Sequence, residues 1–559
     1  MSQSKITFLP YHRTIEVSEG DSLIRTALQA GVHINASCGG EGVCAKCRVQ
    51  VEEGEIGEGL SERLSSEDIE AGYRLACQAR VIGDATIRVP VESAMDRSVF
   101  DQQVRPRQTA KIQQMDFDSL KERGLFIPPV EKAYLELPPP DAQNNMPDVT
   151  RLIEYLKLQS DEHKLEMTIP VIRKLPSTLR ENDFKVTVTL VRPVRDDGKT
   201  LITNIQPGDT TAQTYAIALD IGTTTIYGQL IDLKSGESLA EDGDFNGQIS
   251  YGEDVISRMI FAEKGDGLEK LQQTVIGTIN KVLGKIVRRA GVAREDISTI
   301  TMAGNTTMTQ LLLAIDPSYL RRAPYVPAST MYPPFRAATI GIDLDEHVLG
   351  LLYPAISSYV GGDIVAGIMG TGLYREDELT LFLDIGTNAE IVLGNRDVVY
   401  AASSPTGPAF EGAQISSGQR ATTGAIERVR IDPATLEPKL RVIGIDAWSD
   451  DPEFAVAART IGVSGICGSG IIDVVAEMFL AGIIDRDGVI RGELASATPR
   501  VVADGRTHSY VLHGDVAGDD RVAITQNDIR AIQLAKAALR AGIDLLVEHA
   551  GGPRIADIR

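Results

Sequence analysis

One element occurs twice in this chain: an apolar run, then Asp-Ile-Gly-Thr, then a second apolar run, at ALDIGTTTIYGQLIDL (218–233) and again at FLDIGTNAEIVLG (382–394). A buried strand that reverses at a glycine and continues as a strand is a tight hairpin. Asp220 and Asp384 stand 164 positions apart. A duplication at that domain-sized interval predicts two similar lobes facing one cleft. From Tyr215 onward apolar strands alternate with helical patterns, as in an α/β domain.

The first ninety residues obey a different constraint. The chain has five cysteines in 559 residues, too few for a secreted disulfide scaffold, and four fall within the first 77 positions. In NASCGGEGVCAKC and RLACQAR they read C-x5-C-x2-C-x29-C, as Cys38, Cys44, Cys47 and Cys77. Plant-type 2Fe-2S sites use C-x4-C-x2-C and a distant fourth cysteine, so the difference is one loop residue. Three thiolates converging from one loop need a backbone that wraps tightly with amide N–H groups aimed at sulfur, and Gly39, Gly40 and Gly42 permit that path. A four-cysteine zinc site is the alternative, but such sites use two short C-x2-C knuckles and only Cys44 and Cys47 form one. Cys467, alone in GICGSG, reads as packing.

Around these cysteines, residues 4–17 predict a hairpin, LIRTALQAGV a helix capped by Asp21 or Ser22, and KCRVQVEEG and ATIRVPV further strands. A small sheet crossed by one helix, ending near Ser93, resembles the β-grasp 2Fe-2S members of the ferredoxin family. That resemblance implies one-electron transfer, at potentials of roughly −400 mV for the plant type. From 95 to 211 the text changes to scattered prolines, a helix at DVTRLIEYLK and strands at FKVTVTLV and LITNI, a linker with a small α+β adaptor.

Composition excludes some roles. A formal net charge of −21 repels nucleic acid and anionic membrane surfaces, so neither is an expected partner. No apolar run approaches a membrane span, and the N-terminus lacks the basic and apolar regions of a signal peptide, so a cytoplasmic location is expected.

The duplicated turns carry residues suited to phosphoryl chemistry, which needs Mg2+ and donors around the phosphates. In the first, Gly222 permits close approach, Thr223, Thr224 and Thr225 offer hydroxyls and amides, and Asp220 can hold Mg2+ through water. The second repeats this with Asp384, Gly386, Thr387 and Asn388, and no Walker A pattern occurs. The pair resembles the phosphate-1 and phosphate-2 loops of the actin, sugar kinase and heat-shock chaperone ATPase superfamily, over residues 215–559. That resemblance implies an RNase H-like, two-lobed ATPase that binds ATP with Mg2+. It also makes YVGGDIVAGIMGTGL the connecting helix, with Asp363 a cap or an active-site carboxylate. Two further segments, SSPTGPAFEGAQISSGQRATTGAIERV and GICGSGIIDVVAEM, read as cleft-lining loops. There Glu411 is a general base, a Mg2+ partner or a solvated loop residue. Gly468, Ser469 and Gly470 either meet phosphate or form a close-packed helix entry.

A ferredoxin module at 1–94, a linker at 95–211 and ATPase lobes at 212–376 and 377–559, together with GPAFEGAQI and GICGSG, resemble the reductive activators of corrinoid-dependent enzymes. The resemblance implies an α/β multidomain protein, a homodimer, that takes an electron from a low-potential donor. It implies ATP-driven passage of one electron from the cluster to a corrinoid methyl-transfer protein, turning cob(II) into cob(I). In the superfamily a glycine-rich adenosine loop follows the last helix, whereas QNDIRAIQLAKAALRAGIDLLVEHAGG is followed here by PRIADIR. A truncated chain or an incomplete adenine site is therefore expected. The alternatives are an ATP-dependent activator of another low-potential iron–sulfur enzyme, and a redox sensor with a pseudo-ATPase.

Overall fold

The computed structural model describes residues 3–32, 34, 42, 45, 47–90, 93, 129–159, 164–193, 198–252, 254–412, 414–419, 421, 423–518, 521–552 and 558. These fall into two compact units, the first running to Ala366 and the second starting, among the described residues, at Gly367.

The first unit opens with a five-stranded sheet made of β1 (Gln3–Leu9), β2 (Arg13–Ser18), β3 (Arg48–Glu58), β4 (Tyr73–Leu75) and β5 (Ala79–Arg88), in the order β2-β1-β5-β3-β4. β1 is antiparallel to β2 but parallel to β5. A parallel pair needs a crossover, and helix α1 (Leu23–Gln29) supplies part of it. The helix buries Leu23, Ile24 and Ala27 against Ile6, Phe8, Leu75 and Ile87. Ser22 is the residue before its first turn and uses no side-chain cap, while Asp21 accepts from the Ser18 amide instead.

Next come β6 (Val130–Glu136), β7 (Leu165–Met167), β8 (Lys185–Val191) and β9 (Thr200–Pro207), ordered β6-β8-β9-β7. Helices α2 (Asp148–Gln159) and α3 (Ile169–Glu181) pack on this sheet through Leu152, Leu156, Val171, Leu175 and Leu179. The unit ends in a six-stranded sheet of β10 (Tyr215–Ile221), β11 (Thr225–Asp232), β12 (Ser238–Phe245), β13 (Ile297–Gly304), β14 (Phe335–Arg336) and β15 (Leu349–Leu352). Its order is β12-β11-β10-β13-β15-β14, with β10 parallel to β13. Helices α4 (Val255–Ala262), α5 (Gly267–Ala290) and α6 (Thr306–Leu312) accompany it, and α5 lays Leu271, Val275, Ile279, Val282 and Ile286 into the core at helical spacing.

Helix α7 (Gly362–Thr371) runs across the boundary between the units. The second unit then holds three three-stranded sheets: β16 (Thr380–Ile385), β17 (Ala389–Gly394) and β18 (Val399–Ser404); β19 (Ala425–Ile431), β20 (Pro438–Val442) and β21 (Gly465–Ile466); and β22 (Val501–Asp504), β23 (Thr507–His513) and β24 (Val522–Thr525). Its helices are α8 (Pro452–Ile461), α9 (Gly468–Leu480) and α10 (Gln526–His549). Both Asp-Ile-Gly-Thr segments are antiparallel hairpins, β10–β11 and β16–β17. Among the described residues, the hairpin recurs while the six-stranded sheet does not. No helix among them is long and apolar enough to cross a membrane.

A buried polar junction fixes the four-stranded sheet to the six-stranded one. Lys132 on β6 reaches Asp296 Oδ1 at 3.0 Å, just before β13, with only 1% of its side chain exposed. Gln206 on β9 donates to the same oxygen at 2.9 Å. Nearby, His347 Nε2 donates to Ile297 O at 3.0 Å, while its Nδ1 is buried without a hydrogen-bond partner among the described residues. Burial, opposed by Asp345, holds the His347 pKa below its ordinary value.

Two outcomes follow. Lys132→Met leaves Asp296 buried without its cation and is expected to cost about 3 kcal/mol in urea unfolding, whereas Lys132→Met with Asp296→Leu recovers most of that loss. His347 binds its proton more readily in the unfolded chain, so the stability it contributes above about pH 6.5 is lost as pH falls toward the depressed folded value. Unfolding midpoints measured down through pH 6 are expected to fall less steeply for His347→Gln.

Candidate functional site

The first turn lies at the end of the central strand β10. Asp220 is opposite Ala303 of β13, and Ile221 is opposite Gly304. The 222–225 turn and Asn305 therefore emerge at one end of the sheet, where parallel α/β sheets place their ligands. Gly222 N donates to Thr225 O at 2.9 Å and closes the turn. Its carbonyls are then taken one by one. Asn246 Nδ2 donates to Gly222 O at 2.9 Å, the Arg258 guanidinium to Thr223 O, and Asn246 N to Thr224 O at 2.9 Å. In a trans peptide the next residue's N–H points opposite the carbonyl. The amides of Thr223, Thr224 and Thr225 are thus turned away from these donors. Asn305 Nδ2 adds a hydrogen bond to Thr223 Oγ1 at 3.0 Å, and Asp220 is exposed beside the turn.

Arg258, Asn246 and Asn305 are not singled out by the sequence reading. Asn305 had a legible signal, because it stands between the buried strand ISTITMAG and the helix TTMTQLL and caps that helix through Met308 N at 2.9 Å. Arg258 offered only a charge inside the apolar helix VISRMIFA. Asp363 lies within the first turn of α7, where Oδ1 accepts from Ile364 N at 2.9 Å. Its carboxylate is close enough to Asn305 that a side chain on Gly361 would meet both.

The second turn closes with Gly386 N donating to Asn388 O at 3.0 Å. Thr406 Oγ1 donates to Gly386 O at 2.8 Å, and Gly407 N to Thr387 O at 2.9 Å. The two turns differ at their donors. Glu411 accepts from Thr387 Oγ1 at 2.6 Å and from Thr387 N at 3.2 Å. The structure brings Glu411 to the turn, and any anion that takes these donors must displace its carboxylate. Asp384 is raised in pKa by desolvation, although it is exposed to solvent in this unit.

Glu411 ends the 3-10 turn Pro408–Glu411, and α9 starts against that turn. A Cβ on Gly468 would lie 2.1 Å from Phe410 O, and one on Gly470 2.3 Å from Ile426 O. These glycines therefore form a close-packed helix entry, while Ser469 is exposed between them. Cys467 is buried, with Sγ 3.3 Å from Ser469 Oγ.

Of the four clustered cysteines, Cys47 and Cys77 are described; Cys38 and Cys44 lie outside the described residues. A hydrogen bond with the Cys47 thiol, the largest influence, pulls the Cys77 thiol down to about 7, and the Gln78 amide and Gly42 N–H also aim at its sulfur. Gly42 has φ +75°, a conformation that suits glycine, and a Cβ there would meet Gln78 Cγ at 3.1 Å. Two adjoining thiols ringed by N–H donors fit an iron–sulfur cluster.

Gly468→Ala and Gly470→Ala are each expected to cost about 1–3 kcal/mol by overpacking against backbone oxygens. Ser469→Ala should stay within about 0.5 kcal/mol. Urea midpoints of the three variants check this ordering.

Comparison with known proteins matches four family descriptions in succession. These are the 2Fe-2S iron-sulfur cluster binding domain at 6–81, the RACo linker region at 119–212, the RACo middle region at 215–376 and the C-terminal domain of RACo, the ASKHA domain, at 378–558. The corrinoid activation enzyme RamQ of Eubacterium limosum is 29% identical over 567 aligned positions, covering 98% of this chain and 84% of RamQ. The [Co(II) methylated amine-specific corrinoid protein] reductase of Methanosarcina barkeri is 28% identical over 295 positions, covering 49% of this chain and 52% of that protein. Among solved structures, a reductive activator for corrinoid, iron-sulfur protein superposes with a TM-score of 0.66 at 35% identity, over 99% of this chain and 85% of that one. The chain belongs to the RACo family of reductive activators, with a 2Fe-2S domain, a linker, a middle region and an ASKHA domain in one polypeptide.

Proposed function

We propose that this chain is an ATP-dependent reductive activator of a corrinoid protein. The observation that carries this reading is the union, in one chain, of a 2Fe-2S domain with an ASKHA domain, aligned along its length with a reductive activator. When bound, the 2Fe-2S cluster supplies a one-electron donor, held by Cys38, Cys44, Cys47 and Cys77. The corrinoid is the substrate: cob(II) gains one electron and becomes cob(I), no bond to the protein forms, and a low-potential donor restores the lost electron. The step is uphill from ordinary donors, so it must be driven by a difference in binding energy set by the nucleotide.

The protein's own groups have defined tasks in this reading. At the first turn Gly222, Thr223, Thr224 and Thr225 present amides and hydroxyls to phosphate oxygens, because their carbonyls are held on the opposite side. Asp220 beside the first turn and Asp384 beside the second are the carboxylates that would hold Mg2+, whose charge would be offered to phosphate oxygens. At the second turn Gly386, Thr387 and Asn388 would receive phosphate in exchange for Glu411, whose carboxylate would then be free to hold Mg2+ or to act as a general base. Ser469, with the amides of Gly468 and Gly470 beside it at the start of α9, lies on the helix that packs against the 3-10 turn of Glu411 and extends the anion-binding edge. We place the functional boundaries at 94, 211 and 376, and the protein in the cytoplasm as a homodimer.

The test is anaerobic reduction of a cob(II) methyl-transfer protein, followed by its visible spectrum with and without Mg-ATP. Conversion that depends on Mg-ATP is expected. Asp220→Asn and Asp384→Asn are each expected to lower its rate about 100-fold, a loss on the scale of removing one aligned electrostatic group. Glu411→Gln, which keeps a hydrogen-bonding side chain, should lose less than Glu411→Ala. Conversion without any nucleotide requirement would overturn the coupling, and no conversion by cluster-loaded protein would overturn the corrinoid assignment.

A further inference from the structure

The site residues leave one contact unused: the five-stranded N-terminal domain touches the six-stranded domain. Its helix α1 lies against the 3-10 turn Gly247–Tyr251, and the Arg25 guanidinium stands 5.7 Å from the centre of the Tyr251 ring. The carboxylate of Asp266, held low chiefly by its hydrogen bond with Lys270, also feels the Arg25 charge. A cation at this distance from an aromatic face is attracted by the ring quadrupole.

Both sides of this contact lead to a site. On one side, Ile24 N at the start of α1 donates to Ala76 O at 3.2 Å, one residue before Cys77. On the other, Gly252 directly follows Tyr251, and Gly252 O accepts from Arg258 Nε at 2.8 Å. The same guanidinium holds Gln248 Oε1 at 3.2 Å and the Thr223 carbonyl of the first turn. Arg258 is fully buried, so no water can take over a bond it loses. A shift of the 222–225 turn is therefore passed to 248–252, the segment on which Arg25 rests.

We infer that the 247–252 segment is a docking surface for the chain's own 2Fe-2S domain, anchored by Arg25 on Tyr251, and that nucleotide at the first turn changes how firmly that domain is held. The second half rests on the nucleotide reading given above. Because Arg258 bonds to both segments, the coupling is reciprocal: the factor by which nucleotide alters docking is the factor by which docking alters nucleotide affinity.

Hydrogen exchange on the full, cluster-loaded chain tests both halves. Without nucleotide, Arg25→Ala is expected to speed exchange of α1 and of 247–252 about two- to fivefold, the scale of one exposed cation–π contact. Exchange in β3 and β5 and the cluster's absorption should not change, which separates lost docking from misfolding. Arg25→Lys should keep part of the protection. Mg-ATP is expected to change exchange of the same two segments in the unaltered chain and not in Arg25→Ala. If Mg-ATP weakens docking, Arg25→Ala must bind Mg-ATP more tightly, by at most that factor, and if it strengthens docking, more weakly. Exchange of 247–252 that ignores Arg25→Ala overturns the docking surface. Mg-ATP that binds, by calorimetry, yet leaves both segments unchanged overturns the coupling. Absence of Mg-ATP binding would instead bring down the nucleotide reading, leaving docking to be judged by the nucleotide-free exchange.

Discussion

A single buried guanidinium sets the shape of the first turn. Arg258 is one of the largest fully buried side chains in the chain, and it spends its donors on Thr223 O, Gln248 Oε1 and Gly252 O. A buried charge is tolerated only where its donors are met, and unmet ones cost several kcal/mol. The backbone around it therefore has little freedom. The carbonyls of the turn face inward to Arg258 and Asn246, and the amides of Thr223, Thr224 and Thr225 are left pointing the other way. A lysine would meet one carbonyl at a time and could not replace this planar fork.

The second turn is built differently although its sequence is nearly the same. Its carbonyls are taken by Thr406 and Gly407, with no arginine among the described residues bonded to them. Here the counter-group is an anion: Glu411 occupies the Thr387 amide and hydroxyl. A charge-assisted hydrogen bond of this kind is worth more than a neutral one. It can nevertheless be exchanged for another anion, since the new partner satisfies the same donors. The first turn is thus set by what lies behind it, and the second by what lies in front.

This asymmetry explains what the sequence revealed. The two hairpins, the helix that crosses the N-terminal sheet and the α/β alternation after Tyr215 follow from period and turn chemistry, which are local. The cysteine spacing is local too. Glu411 is separated by 24 positions from Thr387 and Arg258 by 35 from Thr223, and no local pattern ties such pairs. Arg258 in particular sits in an apolar helix, where a charge reads as a solvated edge. The two glycines at the start of α9 were legible as a helix entry, but the backbone oxygens they press against come from Phe410 and Ile426, known only once the chain is folded. Among the described residues the repeat is carried by the hairpin itself, while the strands that follow the second hairpin form separate three-stranded sheets rather than a second six-stranded one.

The two attachments to the six-stranded domain differ in kind, and the difference bears on which part of the chain carries the electron. The four-stranded domain is fastened by the Lys132–Asp296 pair, the Gln206 bond to the same oxygen, and the apolar contact of Val130 and Val191 with Leu349. Separating those surfaces would expose two poorly hydrated charges and a hydrophobic cluster together, a loss of several kcal/mol. Among the described residues, the N-terminal domain meets the same body chiefly through α1 and the Arg25–Tyr251 contact, a cation–π pair worth about 1 kcal/mol. That pair is weaker than the buried ion pair and apolar cluster that hold the four-stranded domain. Electron transfer to a large partner protein needs a carrier that can approach it, and an activation cycle needs a body that keeps its shape while nucleotide binds. The weaker contact suits the 2Fe-2S domain to the first role, and the buried junction suits the joined linker and middle domains to the second.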